Sequence, residues 1–100
     1  MVFNIIVRSD VWIDIESAMD WYEHEVFGLG QRFFQSFEHT TFKIVENPYH
    51  YSFITKQVRR CPVKKFPYSV LYIVKENNIY LLAVVHRRRS NAYIRKRIKR

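Results

Sequence analysis

Cysteine, glycine and proline are scarce in this chain, which has one, two and three of them among its 100 residues. A single cysteine, Cys61, permits no disulfide within the chain and fits a reducing compartment. Because glycine and proline mark most loops, their scarcity predicts regular structure with short connections. We expect residues 1–100 to form one domain, since a chain of this length can bury its own core without a disulfide.

The sequence also lacks the features of membrane segments, metal sites and phosphate-binding loops. The apolar run Val2–Val7 is too short for a membrane span or a signal sequence. The histidines are scattered, one cysteine cannot form a thiolate cluster, and no glycine-rich loop follows a strand. We therefore expect a cytoplasmic protein that binds no metal, needs no cofactor and does not enter a membrane.

Acidic residues are nearly absent from the second half of the chain. Residues 1–50 contain three Lys/Arg and eight Asp/Glu, a balance of −5, whereas residues 51–100 contain fourteen Lys/Arg and one acid, Glu76, a balance of +13. If the halves form different faces, the molecule is strongly dipolar. The basic half suits a nucleic acid or an acidic protein as partner, and the alternative is a solvated surface without a partner.

The first half predicts one strand and two helices. Val2–Arg8 is rich in strand-forming residues, and Ser9 or Asp10 can cap the helix that follows. The apolar stripe of this helix would consist of Trp12, Ile15, Met19, Tyr22 and Val26. Gly28 is expected to be left-handed at its end. A second helix would run from about Leu29 to Glu46, where Asn47-Pro48 stops it, and form an antiparallel hairpin with the first. Its apolar face would consist of Phe33, Phe34, Phe37, Phe42, Ile44 and Val45.

The second half predicts three strands and a short basic helix. The strands are expected at Phe53–Arg60, Lys65–Glu76 and Ile79–Arg89, with Pro62 interrupting the sheet, and the helix at Ala92–Arg100. Asn77-Asn78 fits a two-residue hairpin turn, because asparagine tolerates positive φ. The opposite pairs would then be Tyr72–Ala83, Val70–Val85 and Tyr68–Arg87.

Both faces of this predicted strand hairpin are apolar. One face would carry Leu71, Ile73, Leu82 and Val84. The other would carry Tyr68, Val70, Tyr72, Leu81, Ala83 and Val85, with Arg87 at its end. A half-exposed antiparallel sheet alternates apolar and polar residues, and a helical hairpin covers only one face. The second face therefore needs the C-terminal segment, a second copy or a partner chain, and we expect an interaction surface there.

Basic and aromatic residues gather at the predicted rim of the sheet. The cations are Arg59, Arg60, Lys64, Lys65, Arg87, Arg88, Arg89 and Arg95. Arginine binds phosphates and carboxylates through two parallel hydrogen bonds. RNA cleavage without metal needs a base, an acid and a cation near the transition state, and the candidates for these roles are His86, Tyr93 and Arg87. In the alternative, His86 only ends a strand and Tyr93 packs the last helix onto the sheet.

Six segments in order resemble the toxins of the RelE/ParE superfamily, from bacterial type II toxin–antitoxin modules. Ile15–Glu23 resembles the first helix of that family, Gly28–Phe33 its helix turn, and Glu46-Asn47-Pro48 the exit of its second helix. Three further segments resemble its sheet: Val58-Arg59-Arg60, Phe66-Pro67-Tyr68 with Tyr72, and His86-Arg87-Arg88. The resemblance covers nearly the whole chain. It implies an α+β fold, β-α-α-β-β-β, with an antiparallel sheet packed on the helical hairpin and a possible short C-terminal helix.

The resemblance also implies a cognate antitoxin with an acidic and apolar wrapping segment, which would cover the second sheet face. RelE-like members cut messenger RNA on the ribosome, and ParE-like members inhibit DNA gyrase without being nucleases. The RelE-type arginine that follows the strand tyrosine is Ser69 here, although Arg87 and Tyr93 match the later arginine and tyrosine. The long helical hairpin and Phe66-Pro67-Tyr68 look more like the ParE branch.

Three hypotheses follow from these observations. The first is a gyrase-binding, growth-inhibiting toxin of the kind that stabilises plasmids, which would not be an enzyme. The second is a ribosome-dependent mRNA interferase, a metal-independent endoribonuclease. The third is a non-toxic nucleic-acid-binding module.

Overall fold

A four-stranded sheet lies between a long helical hairpin and a short C-terminal helix in the computed structural model, which describes residues 2–99. The elements are β1 (Asn4–Val7), α1 (Ser9–Glu25), α2 (Leu29–Glu46), β2 (Arg59–Pro62), β3 (Tyr68–Lys75), β4 (Asn78–His86) and α3 (Asn91–Ile98). The strand order is β1-β4-β3-β2. The predicted α+β class and element order are confirmed. One pair differs, because β1 joins β4 in parallel, and the intervening helices and strands supply the long connection that a parallel pair requires.

The turn between α1 and α2 has the expected left-handed glycine, Gly28, with φ of 83°. The Glu23 carboxylate accepts the backbone N–H groups of Gly28 and Gly30 at 2.9 and 3.0 Å, which satisfies donors that a helix start leaves free. α1 and α2 approach each other closely here, since a Cβ on Gly30 would lie 2.6 Å from the Met19 carbonyl oxygen. The bounds of α2 are those predicted.

The apolar stripes of both helices are narrower than predicted. α1 begins at Ser9, and Arg8 occupies the N-cap position without a side-chain cap bond. Its buried residues are Val11, Ile15 and Ala18. Trp12 and Val26 are 46% and 55% exposed, and Phe42 in α2 is 66% exposed, so these three predicted members of the apolar stripes are not buried. Val26 lies beyond the helix in extended conformation, where the helical period no longer applies.

The strand predicted at Phe53–Arg60 was wrong, because the chain reverses direction within it. Ser52 and Phe53 lie antiparallel to the start of β2: the Arg60 N–H donates to the Ser52 carbonyl, and Phe53 bridges Arg59. β2 itself includes Pro62 rather than being interrupted by it. An outer strand tolerates proline because the missing N–H is not needed on its open side.

The turn between β3 and β4 lies one residue earlier than predicted. Lys75 pairs with Asn78, and Glu76 takes the positive φ, 58°. An irregularity between Leu71 and Tyr72 then shifts the register again. The observed pairs are Tyr72–Leu81, Val70–Val84 and Tyr68–His86, which replace the three predicted pairs.

Each face of the sheet has its own core and its own cover. Under the helical hairpin the sheet contributes Tyr68, Val70, Tyr72, Ile79, Leu81 and Val84, of which Tyr68 is partly buried. Under α3 it contributes Leu71, Leu82, Ala83 and Val85. The prediction that Tyr68, Val70, Tyr72, Leu81, Ala83 and Val85 share one face was therefore wrong, because Ala83 and Val85 lie on the opposite face from the other four. The C-terminal segment, one of the covers considered, covers the second face.

α3 runs from Asn91 to Ile98, near the predicted bounds, and Arg100 lies outside the described residues. The Ser90 hydroxyl caps the helix by accepting the Tyr93 N–H at 3.1 Å. Tyr93, Ile94 and Ile98 pack against the sheet. Among residues 2–99, no helix is both long enough and apolar enough to cross a membrane.

Candidate interaction site at one end of the sheet

Two basic turns meet at one end of the sheet. Lys64 and Lys65 lie between β2 and β3, and Arg87–Arg89 lie between β4 and α3; all five residues are exposed. The Arg87 N–H donates to the Pro67 carbonyl at 2.8 Å, which ties one turn to the other. The fold therefore brings together cations that are more than twenty positions apart in the sequence.

Arg59, Arg60 and Arg95 lie outside these two turns, on β2 and α3. The Arg59 guanidinium donates to the carbonyls of Tyr49 and Tyr51 at 3.0 and 2.7 Å and lies 3.9 Å from the Phe53 ring centroid. Arg59 thus holds the loop before β2 against the sheet edge. Arg60 is exposed farther along β2, opposite Leu71, and Arg95 is exposed on α3.

A small cleft of about 250 Å³ opens beside the turn between β4 and α3, and Tyr68, His86, Arg89 and Tyr93 are among its lining residues. The His86 Nδ1 accepts the Arg88 N–H at 3.0 Å, so the neutral ring carries its proton on Nε2. Burial, followed by Arg88, Arg87 and Arg89, lowers the pKa of His86 below its usual 6.5. Burial raises the pKa of Tyr68. The cleft therefore holds a neutral imidazole and a protonated phenol at neutral pH.

The structure brings together two of the three candidates for RNA cleavage. His86 and Tyr93 line the cleft, whereas Arg87 does not, and Arg89 provides the cation there, 4.3 Å from the Tyr93 ring centroid. Ser69, which follows the strand tyrosine, is 5% exposed and pairs with Val85 of β4. No cation occupies that position.

Sequence reasoning missed the ionic cluster that fastens α3 to the rest of the molecule. The Arg97 guanidinium donates to both oxygens of the Asp14 carboxylate at 2.6 and 2.8 Å. Arg8 pairs with Asp10 at 2.9 Å and donates to the Arg97 carbonyl at 2.6 Å. The hydrogen bond from Arg8 lowers the pKa of Asp10. Because Asp14 and Arg97 lie on separate elements 83 positions apart, no local pattern indicates their contact.

No group of three or more His, Cys, Asp or Glu side chains in the described part of the chain is placed to hold a metal ion. Cys61 is buried in the core, and burial raises the pKa of its thiol. A high thiol pKa leaves little thiolate at neutral pH, so Cys61 is a poor nucleophile there.

Residues 5–91 match the family described as "ParE toxin of type II toxin-antitoxin system, parDE", and the chain belongs to that family. Its structure is similar to one titled "Chromosomal ParDE TA system from P. aeruginosa", with a TM-score of 0.73 and 14% sequence identity over 85% of this chain and 96% of that chain. At that identity the likeness bears on the fold alone. No curated protein sequence matches the chain.

Proposed function

We propose that this protein is a cytoplasmic, growth-inhibiting toxin that binds DNA gyrase without catalysis and is neutralised by a cognate antitoxin. Its membership of the ParE family over residues 5–91 is the observation that carries the proposal. Gyrase is the target that the sequence resemblance implies for ParE-like toxins, and an antitoxin is the partner implied by a toxin–antitoxin module.

The surroundings of Ser69 favour binding over RNA cleavage. The RelE-type arginine would have to stand at this position, but Ser69 is buried and pairs with Val85 of β4. An arginine there would have to displace part of the core to reach a phosphate. Without that cation, a phosphorane-like transition state loses a source of charge stabilisation that commonly contributes several kcal/mol, on the order of 3.

The exposed arginines after β4 are the proposed contacts to the target. Arg87, Arg88 and Arg89 leave the sheet together and have solvent on their outer side. Lys64 and Lys65 extend the same end of the molecule, and Arg60 on β2 and Arg95 on α3 are further exposed cations. Arginine suits this role because its planar, weakly hydrated head group binds carboxylates and phosphates with defined geometry.

The proposal is tested by induced expression in cells, with plasmid supercoiling and mRNA integrity followed together. We expect growth arrest with altered plasmid topology and intact mRNA. Co-expression of the neighbouring open reading frame, if it encodes an acidic partner, should restore growth. Growth arrest with normal supercoiling would contradict gyrase as the target.

One observation favours a ribosome-dependent mRNA interferase as a second candidate. The cleft unites a neutral His86 with Arg89 and Tyr93, which are groups of the kind that acid–base cleavage of RNA uses. This candidate predicts codon-specific cuts in translated mRNA that disappear in His86→Ala, and in Arg87→Ala if that arginine also takes part. Harmless overexpression would instead favour a non-toxic nucleic-acid-binding module.

A further inference from the structure

A second, larger concavity lies on the other side of the basic end. This groove, of about 680 Å³, runs between α2 and the turn that links β2 to β3. Arg32, Ser36 and His39 form its helical wall, and Lys64–Pro67 form the opposite wall. The helical wall extends from Leu29 to His39, which is about 15 Å at the rise of an α-helix. That length matches four or five residues of extended peptide at about 3.3 Å each.

Both walls of the groove carry positive charge that the protein itself does not neutralise. Arg32 on one side and Lys64 and Lys65 on the other are exposed, and they have no ion pair among residues 2–99. The lining residues include no aspartate and no glutamate. Glu23, which neighbours Tyr22 in the sequence, is hydrogen-bonded to the N–H groups of Gly28 and Gly30 in the helix turn.

The floor of the groove is apolar and fixed by the core. Tyr22 and Phe66 are half-buried and pack edge to face, with ring centroids 4.9 Å apart. Phe66 also packs edge to face on Phe33 at 5.2 Å. Rings held in this way offer an apolar surface for aliphatic side chains, whereas binding of unpaired bases relies on aromatic rings that are free to stack.

The turn that forms the second wall is held in a specific shape. Lys65 adopts φ of 72°, a left-handed conformation that is uncommon for a residue with a side chain. The turn is closed by hydrogen bonds from the Val63 N–H to the Tyr68 carbonyl at 2.8 Å and from the Phe66 N–H to the Val63 carbonyl at 3.4 Å. Such conformations persist where the surrounding structure fixes them and occur frequently at ligand-binding sites.

We propose that this groove binds a short protein segment in which acidic residues alternate with aliphatic ones. The carboxylates would pair with Arg32, Lys64 and Lys65, while the aliphatic side chains would lie on Tyr22 and Phe66. The identity of the segment as part of the antitoxin rests on the proposed function, but the binding itself does not. A nucleic acid is the competing ligand, and the test below includes it.

The experiment measures binding by fluorescence anisotropy with three labelled probes. The first is a peptide in which aspartate alternates with leucine, the second replaces leucine by serine, and the third is a single-stranded oligouridylate. Each is titrated with the full chain and with two double variants of equal charge. Arg32→Glu with Lys64→Glu changes the groove, and Lys56→Glu with Lys75→Glu changes exposed lysines that do not line it.

We expect the groove variant to bind the leucine probe at least about tenfold more weakly, and the control variant to bind it within about twofold of the wild type. The serine probe should bind the wild type at least about tenfold more weakly than the leucine probe. Equal weakening in both variants, equal affinity for the two peptides, or stronger binding of the oligouridylate would overturn the proposal.

Two further measurements keep the result interpretable. Thermal unfolding reports whether each variant folds. If the glutamate variant of the groove does not fold, Arg32→Gln with Lys64→Gln takes its place. We expect this glutamine variant to lose binding of the leucine probe as well. Induced expression of the wild type is the separate readout for the proposed function. A chain that binds the leucine probe in the groove but does not arrest growth would contradict toxicity and leave the groove assignment standing.

Discussion

Arg97 joins three elements through one carboxylate. Its guanidinium lies on Asp14 of α1, and the same carboxylate accepts the Val84 N–H of β4 at 2.9 Å. The side chains of Arg97 and Asp14 are only 13% and 12% exposed. A pair so largely removed from water stabilises the fold chiefly because the loss of one partner leaves the other charge unpaired.

Arg97→Met should therefore lower the free energy of unfolding by about 3 kcal/mol. Lys96→Met on the same helix is the matched control, because Lys96 is exposed and its replacement should change stability by less than about 0.5 kcal/mol. Urea denaturation of both variants measures the difference. Equal midpoints for the two would show that the ion pair does not hold α3 in place.

His86 makes a prediction about pH. Since its native pKa lies below 6.5 through burial and the neighbouring arginines, the unfolded chain binds the proton more readily than the native one. The contribution of His86 to the free energy of unfolding therefore decreases as the pH falls from about 6.5 through its native pKa. Titration by NMR should place the His86 midpoint below 6.5. Arg88→Ala should raise that midpoint, and a midpoint at or above 6.5 in the wild type would contradict the burial of this ring.

At the scale of elements, α1 and α2 approach each other closely at Gly30. Gly30→Ala would place a Cβ 2.6 Å from the Met19 carbonyl oxygen. We expect it to lower the free energy of unfolding by about 2 kcal/mol, because the two helices must move apart. A Cβ on Gly28 would meet no atom within 4 Å. Gly28→Ala should therefore lower the free energy of unfolding by about 1 kcal/mol, only because alanine disfavours the positive φ.

The neighbouring exposed residue provides the control for this pair. Gln31→Ala removes no buried contact and should change stability by less than about 0.5 kcal/mol. Thermal unfolding of the three variants gives the order of their effects. If Gly30→Ala were as stable as Gln31→Ala, the close packing of the helical hairpin would be wrong.

Helices and strands differed in how far the sequence could predict them. The bounds of α2 follow from local signals, Gly28 before it and Asn47-Pro48 after it, and these are where the structure has them. The hairpin turn was predicted one residue too late because both registers put an asparagine in the turn. In the register that the structure adopts, Glu76 rather than an asparagine takes the positive φ of the turn. Local sequence gives no signal for the register shift at Tyr72.

The candidate site could also be predicted only in part: the sequence indicates where its cations lie, but not which of them are used within the fold. The cations of the two basic turns do lie at one end of the sheet, because strand order alone brings the turns together. Arg59 differs from them, because its guanidinium is hydrogen-bonded to backbone carbonyls of the preceding loop. Arg97 could not have been separated from the other arginines of α3 by sequence, because its partner lies at the opposite end of the chain.

At the scale of the whole molecule, charge is divided between the layers. The eight acids of the first half all lie on α1 and α2, whereas the cations that the structure describes in the second half lie on the strands, in the loops around them and on or next to α3. The uneven charge of the sequence thus becomes a difference between the helical and sheet sides of the fold. Such a molecule attracts anionic partners to its basic side, and association slows as salt is added.

The most direct test of the proposed function is gyrase-catalysed supercoiling of relaxed plasmid in the presence of the purified protein. The wild type should inhibit supercoiling, and a triple variant of Arg87, Arg88 and Arg89 to glutamate should inhibit at least about tenfold less, since it removes the proposed contacts. Normal supercoiling at a large molar excess of folded wild-type protein, above all if the same preparation cleaves mRNA on ribosomes, would contradict the account.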